Sequence, residues 1–390
     1  MPYIVTPMEP KFHQVTWEEL LEGYVEPEKF EPVQNAPSST RTVFLNQVND
    51  KTLARYDIPK MIVWLREFNG KYAALIAAPK EELYRTFYIP KSGIDPATGR
   101  PKMRRIDEPN PELKKAQKEL RTLLEDKFGA LYHTSAFAYI RKRCVINAIQ
   151  RHQANQSRWF LKLDFSDFFG STTPTYLYET ISSIFPFSEI VKYPSGAEEL
   201  QRALSVCFLR GGLPQGSPIS PMLTNLMMIP VDHKLKNGLL KFTDNNHYVY
   251  TRYADDILIS CKYKFDEQKV IEFIKNTLAA FRAPFTLNDK KTRYGSRNGH
   301  NYNLGVILNA NNEITVGYKQ KREFRAVLVD YVAIKSAGDP VDLHYVQQLM
   351  GQLNWYSSVE PHYWEAMLKR LNEKYHVDIS DMLLSDLRSA

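Results

Sequence analysis

The stretch 251-TRYADDILIS-260 sets two carboxylates, Asp255 and Asp256, side by side between two runs that read as β-strand. Like charges repel, and no basic side chain follows before Lys262. In an extended strand, neighbouring side chains point to opposite faces. Two adjacent Asp residues therefore converge only where the backbone turns, and 254–256 is such a place. Carboxylates that stay ionised together need a cation, and an all-oxygen site of this kind selects Mg2+ or Mn2+. The plain alternative is an Asp-rich solvent turn, since Asp is common in turns.

The rest of the chain weighs against the plain alternative. A second acidic strand end occurs in 160-FLKLDFSDFF-169, where Asp164 ends an apolar strand and Asp167 follows. With that strand beside the hairpin, Asp164 and Asp255 would clamp two metal ions about 4 Å apart, the arrangement used for in-line nucleotidyl transfer. Asp167 reads as a helix cap and not as a ligand.

Composition sets the outer bounds. A chain of 390 residues suits two or three domains. Hydrophobic content of 43% and charged content of 24% are those of an ordinary globular protein. The net charge of +7 favours a polyanionic partner such as nucleic acid. Cys144, Cys207 and Cys261 fit neither a CxxC site nor a disulfide framework and read as thiols in a reducing cytoplasm. The first twenty residues lack a basic segment followed by an apolar one, and no run approaches the ~20 apolar residues that span a bilayer. The expectation is a soluble, cytoplasmic protein with no membrane partner.

Residues 1–40, rich in Pro and Glu, read as an extended or loosely packed arm. DIPKMIVWLREF and APKEELYRTF read as helices, and 86–109 as a basic hairpin. A helix follows, with Asn110 as cap, Pro111 in its first position and Gly129 as its stop. Its apolar stripe is Leu113, Ala116, Leu120, Leu123, Leu124 and Phe128. Helices at 198–209 and 218–237 bracket the loop RGGLPQGSP. Strands are expected at 247–254, 256–262, 284–287, 302–308 and 313–316, with a helix at 266–281 capped by Asp266. Residues 318–390 read as helical, beginning with the basic run YKQKREFR.

Six segments in this order carry a family resemblance. FLKLDFSDFF, GLPQGSPISPMLTNL and YTRYADD resemble motifs A, B and C of reverse transcriptases. FYIPKSG with MRRIDEPNPELKKAQ resembles their fingers motif, FTLNDKKT their motif D, and YNLGVIL their primer-grip hairpin. The resemblance implies Asp164 and Asp255 as main metal ligands, the Phe165 carbonyl as a further contact, and Asp256 in support. It implies Phe169 as a steric gate against the ribose 2′-hydroxyl, with a core Phe as the alternative. Lys91 and Arg104 match the cations that hold the incoming triphosphate, with Arg105 the substitute if the register slips by one. The resemblance also implies Gln215 and Gly216 beside the nascent pair and template, Lys291 as candidate acid for pyrophosphate departure with its neighbour Lys290 as the alternative, and Gly305 as the residue that lets the grip hairpin approach the primer. Apart from the resemblance, Lys319, Lys321, Arg322 and Arg325 at the start of the C-terminal helices read as a track for the nucleic-acid backbone, with a solvated basic face as the plain alternative.

Among such enzymes, bacterial retron-type and related antiphage reverse transcriptases look most similar. Two departures are 147-NAIQRH-152, one residue longer than the retron Asn-Ala-x-x-His, and Asn303-Leu304-Gly305 in place of Val-Thr-Gly. His152 reads as a structural histidine. The expected architecture is an α+β right-hand polymerase: an N-terminal extension (1–85), fingers (86–158), an antiparallel-sheet palm (159–316, with a fingers-like insertion near 171–210) and a helical thumb (317–390). The expected function is synthesis of DNA on a dedicated structured, non-coding RNA, with two Mg2+ ions and dNTPs, in antiphage defence and with an effector protein as a further partner. The rivals are an RNA-dependent RNA polymerase and an idle palm-fold RNA-binding scaffold.

Overall fold

Asp57 caps the first described helix, α1 (Ile58–Lys71), by accepting a hydrogen bond from the Lys60 N–H at 3.0 Å. The structure is a computed structural model that describes residues 56–94, 98–129, 132–242, 247–297 and 305–388. The arm expected over 1–40 lies outside these residues, as do Asn303, Leu304 and the start of the strand expected at 302–308.

After α2 (Ala73–Ala77) the expected helix over APKEELYRTF does not form. Only a tight turn, Lys80–Leu83, precedes β1 (Tyr84–Ile94). Cross-strand pairing overrides local propensity here: β1 pairs antiparallel with β2 (Pro101–Pro109), Tyr84 opposite Pro109 and Phe87 opposite Ile106. Asn110 then accepts from the Leu113 N–H at 2.8 Å and opens α3 (Pro111–Thr122). A wider helical turn, Leu123–Lys127, continues to Gly129, whose φ of +62° lies in the left-handed region that favours glycine at a helix end. The expected stripe is buried from Leu113 to Phe128.

Helix α4 (Val145–Ala154) leads into the central strand β3 (Trp159–Ser166). The region beyond it is helical: α5 (Pro174–Ile181), α6 (Phe187–Ile190), α7 (Pro194–Leu204), α8 (Ser220–Met227) and α9 (Ile229–Leu240). Strands β4 (Val249–Tyr253) and β5 (Asp256–Cys261) form the hairpin, α10 (Glu267–Ala280) follows its Asp266 cap, and β6 (Thr286–Leu287) and β7 (Arg293–Ser296) complete the sheet. All its pairings are antiparallel, in the order β4-β5-β3, with both β6 and β7 on the far edge of β3.

Alternation along β3 and β5 divides the interior in two. Leu161, Leu163 and Phe165, with Ile257 and Ile259, join the larger core of α1, α3, α5 and α7–α10. Phe160 and Leu258 face the other way, into a second core with α4 and the C-terminal helices. A short hairpin, β8 (Ile307–Leu308) with β9 (Ile314–Thr315), introduces those helices: α11 (Tyr318–Ser336), α12 (Leu343–Val359), α13 (Pro361–Tyr375) and α14 (Ile379–Arg388). Among the described residues, no helix is long and apolar enough to cross a membrane. All three cysteines are free thiols.

His152 is fully buried between α4 and the sheet, its Nδ1 2.6 Å from Ser260 Oγ and its Nε2 2.8 Å from Thr251 Oγ1. Burial pushes its pKa down to about 3. A neutral, doubly hydrogen-bonded imidazole is a packing element, in keeping with the structural role read from its place on a helix.

Candidate active site

Strand pairing brings the two acidic strand ends together. Asp164, the sixth residue of β3, lies directly opposite Asp256, the first of β5. Directly opposed residues of an antiparallel pair share a face, so Lys162, Asp164 and Asp256 project to one side. The turn between β4 and β5 places Ala254 at φ +57°, a left-handed conformation. The Phe165 N–H donates to the Asp255 carbonyl at 3.1 Å, and the Asn288 N–H to the Asp164 carbonyl at 2.8 Å, locking turn and strand end together.

The carboxylates differ in their partners. Lys291 Nζ lies 2.8 and 2.9 Å from the two Asp164 oxygens, and Lys162 Nζ lies 3.0 Å from Asp256 Oδ1. Asp255 makes no ion pair among the described residues. Burial pushes its carboxyl above the usual carboxylate range; the charges of Asp164 and Asp256 add to this, while its own backbone N–H and Lys291 oppose it. Among the described residues, no three His, Cys, Asp or Glu side chains converge as a finished metal cage. Lys291 and Lys162 offset the repulsion among these carboxylates. The donor set is nevertheless of hard oxygens only, which fits a divalent cation such as Mg2+ or Mn2+, and a cation relieves the strain on Asp255. Asp167 is exposed at φ +43° in the following turn, where its carboxylate lies against Gly170, away from this set.

The two arginines of β2 face opposite ways. Arg105, opposite Tyr88, turns back to Asp107, with Nε and Nη2 both 2.9 Å from Oδ2. Arg104, opposite Ile89, is exposed, and neither it nor the exposed Lys91 makes an ion pair among the described residues. Arg105 is thus spent on structure and Arg104 remains available for a ligand.

Asp107 is the fastener between this hairpin and the RGGLPQGSP loop. It accepts from Thr86 Oγ1 at 2.6 Å and from Arg210 Nη1 at 3.2 Å, and its N–H donates to the Gln215 carbonyl at 2.7 Å. A Cβ at Gly216 would meet the Asp107 carbonyl at 2.6 Å, and φ there is +125°. Gly216 is required first for this close approach of two backbones; Gln215 keeps a half-buried side chain beside it.

Phe168 and Phe169 divide the two roles weighed for Phe169. Phe168 is buried, stacked on Phe165 at 5.3 Å between ring centroids. Phe169 is only half-buried, edge-on to Phe168, and its carbonyl accepts from the Leu213 N–H at 3.0 Å. The core phenylalanine is therefore Phe168, and Phe169 is held against the RGGLPQGSP loop with part of its ring open.

At the head of α11 the expected basic track is only partly free. Lys321 is turned inward onto Glu360, Nζ to Oε1 at 2.5 Å. Glu360 also accepts from the Val316 N–H at 2.9 Å and Thr315 Oγ1 at 2.8 Å. Lys321 therefore ties β9 to the helices, which corrects its expected place on the track. Lys319 lies exposed, 3.8 Å from Glu323, while Arg322 and Arg325 are exposed without ion pairs among the described residues. Gly305 has φ +89° and open space around its Cβ position, so backbone conformation is what demands glycine there. Replacing Arg322 and Arg325 with Gln should make the slope of log K for duplex binding against log salt shallower by about two units. Lys321→Gln should leave that slope alone and lower the melting temperature, because Glu360 loses its cation. Salt titrations of duplex affinity, paired with thermal melts, check both.

Four side chains escaped the sequence reading. Lys162 had a visible signal, two residues before Asp164 and hence on its face. The buried pair Arg252–Asp232, 2.8 Å apart, and Asn225 had none, since each reads as an ordinary polar residue in its own element. The Arg252 guanidinium donates to Asp232, to Asn225 Oδ1 at 3.2 Å and to the Ala254 carbonyl at 3.1 Å, directly beneath the catalytic turn. Tyr250 adds its hydroxyl to Asp232 at 2.6 Å.

The chain is similar in sequence to several known reverse transcriptases. The retron Ec73 reverse transcriptase of Escherichia coli is 27% identical over 283 residues, covering 71% of this chain and 84% of that protein. The retron Ec83 enzyme of the same organism is 26% identical over 307 residues, covering 75% and 86%. The retron Mx65 enzyme of Myxococcus xanthus is 25% identical over 351 residues, covering 83% and 74%. Among solved structures, an apo telomerase from Candida tropicalis aligns with a TM-score of 0.39 at 14% identity, covering 65% of this chain and 60% of that one. The family model described as reverse transcriptase (RNA-dependent DNA polymerase) matches residues 89–325 of the 390. With its right-hand polymerase architecture of helices on an antiparallel sheet, the chain belongs to the reverse transcriptase family, enzymes that use divalent metal ions to copy RNA into DNA.

Proposed function

We propose that this reverse transcriptase copies one dedicated, structured, non-coding RNA with two Mg2+ ions, Mn2+ being a substitute, and that its DNA product serves antiphage defence. The observation that carries the catalytic part is the pairing of Asp164 with Asp256 beside the half-buried Asp255, which has no ion pair among the described residues. The dedicated template and the defence role rest on the likeness to retron enzymes. When bound, the metal ions supply charge neutralisation for the attacking hydroxyl and the leaving pyrophosphate.

The side chains divide the remaining work. Asp164, Asp255 and Asp256, with the Phe165 carbonyl, are the ligands. Arg104 and Lys91 receive the triphosphate, Arg104 as a planar fork. Lys291, paired with Asp164 in this structure, would supply the proton to the departing pyrophosphate. Gln215 borders the nascent base pair; Gly216, Gly305, Lys319, Arg322 and Arg325 border the nucleic acid. Fingers (86–158), palm (159–316) and thumb (317–390) are the corresponding parts, and a cytoplasmic site with an effector protein suits a defence system.

Two measurements test this. Sequencing the nucleic acid that co-purifies with the chain should return one RNA species, with DNA joined to or templated on it; a random mixture overturns the dedicated template. Phe169→Ala should lower dNTP over NTP discrimination, read as the ratio of kcat/KM values, by about a hundredfold, because the half-open ring no longer blocks a 2′-hydroxyl. Unchanged discrimination places the gate elsewhere. Phage plating with the wild type against Asp255→Asn decides the defence role.

A further inference from the structure

Tyr139 is 47% exposed although residues 135–138 before it are buried. Its φ of +62° lies in the left-handed region that a bulky residue rarely adopts. Such strain persists only where the surroundings impose it, and here they are visible. Ala136 forms a parallel bridge with Arg252 of β4. The Phe137 N–H donates to the Arg252 carbonyl at 2.9 Å, and the Arg252 N–H to the Ser135 carbonyl at 2.7 Å. Residues 135–137 thus run beside β4 towards the catalytic turn. Three residues past the bridge, the one chain reaches Tyr139 and the other reaches Asp255.

The buried cluster fixes both ends of this alignment. Asn225 Nδ2 donates to the Ala138 carbonyl at 2.8 Å, and Asn225 Oδ1 accepts from Arg252, which also donates to the Ala254 carbonyl at 3.1 Å. One group of side chains therefore holds the residue before Tyr139 and the residue before Asp255. Burial, then the Asp255 charge, pushes the phenol pKa up, while the Arg104 charge pulls it down, so the hydroxyl keeps its proton at neutral pH. Among the described residues it makes no hydrogen bond. The fold thus brings an exposed phenol, a donor without an acceptor among the described residues, to the end of a segment that runs beside β4 towards the Asp255 turn, within electrostatic range of Arg104.

We propose that Tyr139 is a nucleotide-contacting residue of this active site, whose phenol donates a hydrogen bond to the triphosphate of the incoming dNTP between Arg104 and the carboxylates. The assignment rests on the polymerase reading of the same site. It adds one neutral donor to the cations Arg104 and Lys91, placed by the fold and not by a flexible side chain.

The test is single-nucleotide primer extension at varied dNTP, with wild type, Tyr139→Phe and Tyr139→Ala, alongside primer–template affinity and thermal melts. Tyr139→Phe removes only the oxygen and should raise KM for dNTP about tenfold, the worth of one hydrogen bond to a charged group. Its primer–template Kd and melting temperature should match the wild type, and Tyr139→Ala should raise KM at least as far. A Tyr139→Phe enzyme whose dNTP KM stays within about twofold of wild type overturns the proposal. Weakened primer–template binding with an unchanged dNTP KM also overturns it, by giving the ring to the duplex. A wild-type chain that incorporates no dNTP overturns the polymerase reading and this proposal together.

Discussion

Primer extension by Asp255→Asn is expected to fall by more than about a thousandfold, because the charge that gathers the metal ions is gone. The same variant should melt no lower than the wild type. Asp255 is the carboxylate without a lysine, and burial with the Asp164 and Asp256 charges holds its pKa above the ordinary value of 3.8. A raised carboxyl pKa means that the fold binds a proton more readily than the unfolded chain does. Its stability contribution is therefore most favourable below pH 3.8 and turns unfavourable as pH rises through the folded value. Asparagine keeps the shape and removes the charge, so any gain in stability should appear at neutral pH and vanish in acid. Melts at both pH values, beside extension assays, check this. Replacing Asp255 and Asp256 together with Ala should abolish extension equally but without the stability gain, because Lys162 loses its partner at 3.0 Å. Extension by either variant within about tenfold of the wild type would remove Asp255 from the metal site.

What the sequence made legible was local. The stripe Leu113 to Phe128, the caps Asn110 and Asp266, and the acidic strand ends follow from periods of 3.6 and 2 and from turn chemistry. Bringing Asp164 to the turn of Asp255 needed one assumption, that β3 lies beside the hairpin; the sheet order fulfils it, with Asp256 as the residue directly opposite Asp164. Long-range partners were not legible. Lys321 looked like one of four equivalent cations, yet Glu360, 39 residues on, claims it. APKEELYRTF has helix formers, yet Tyr84 to Phe87 pair with residues 106–109 across the hairpin. Arg104 and Arg105 are neighbours with the same charge, and only strand alternation, with Asp107 on one side, separates a ligand-facing guanidinium from a structural one.

The same blindness covered the residue with the largest expected effect on stability. Arg252 in β4 and Asp232 in α9 are both fully buried, and the guanidinium meets the carboxylate with three contacts between 2.8 and 3.2 Å. Arg252→Met should destabilise the chain by about 3–5 kcal/mol, since it leaves Asp232 as a buried charge with only the Tyr250 hydroxyl upon it. That is a large part of the roughly 5–15 kcal/mol that holds a typical domain. Adding Asp232→Leu to Arg252→Met should restore most of the loss, because the cost lies in the orphaned charge and not in a missing attraction. Polymerase activity should not return with it. Arg252 also donates to the Ala254 carbonyl, and Ala254 carries the left-handed turn that aims Asp255 and Asp256. A double variant with near wild-type denaturant stability and low kcat separates the two duties of this arginine. Full activity in that variant would mean that the turn holds its shape through its strand pairing alone.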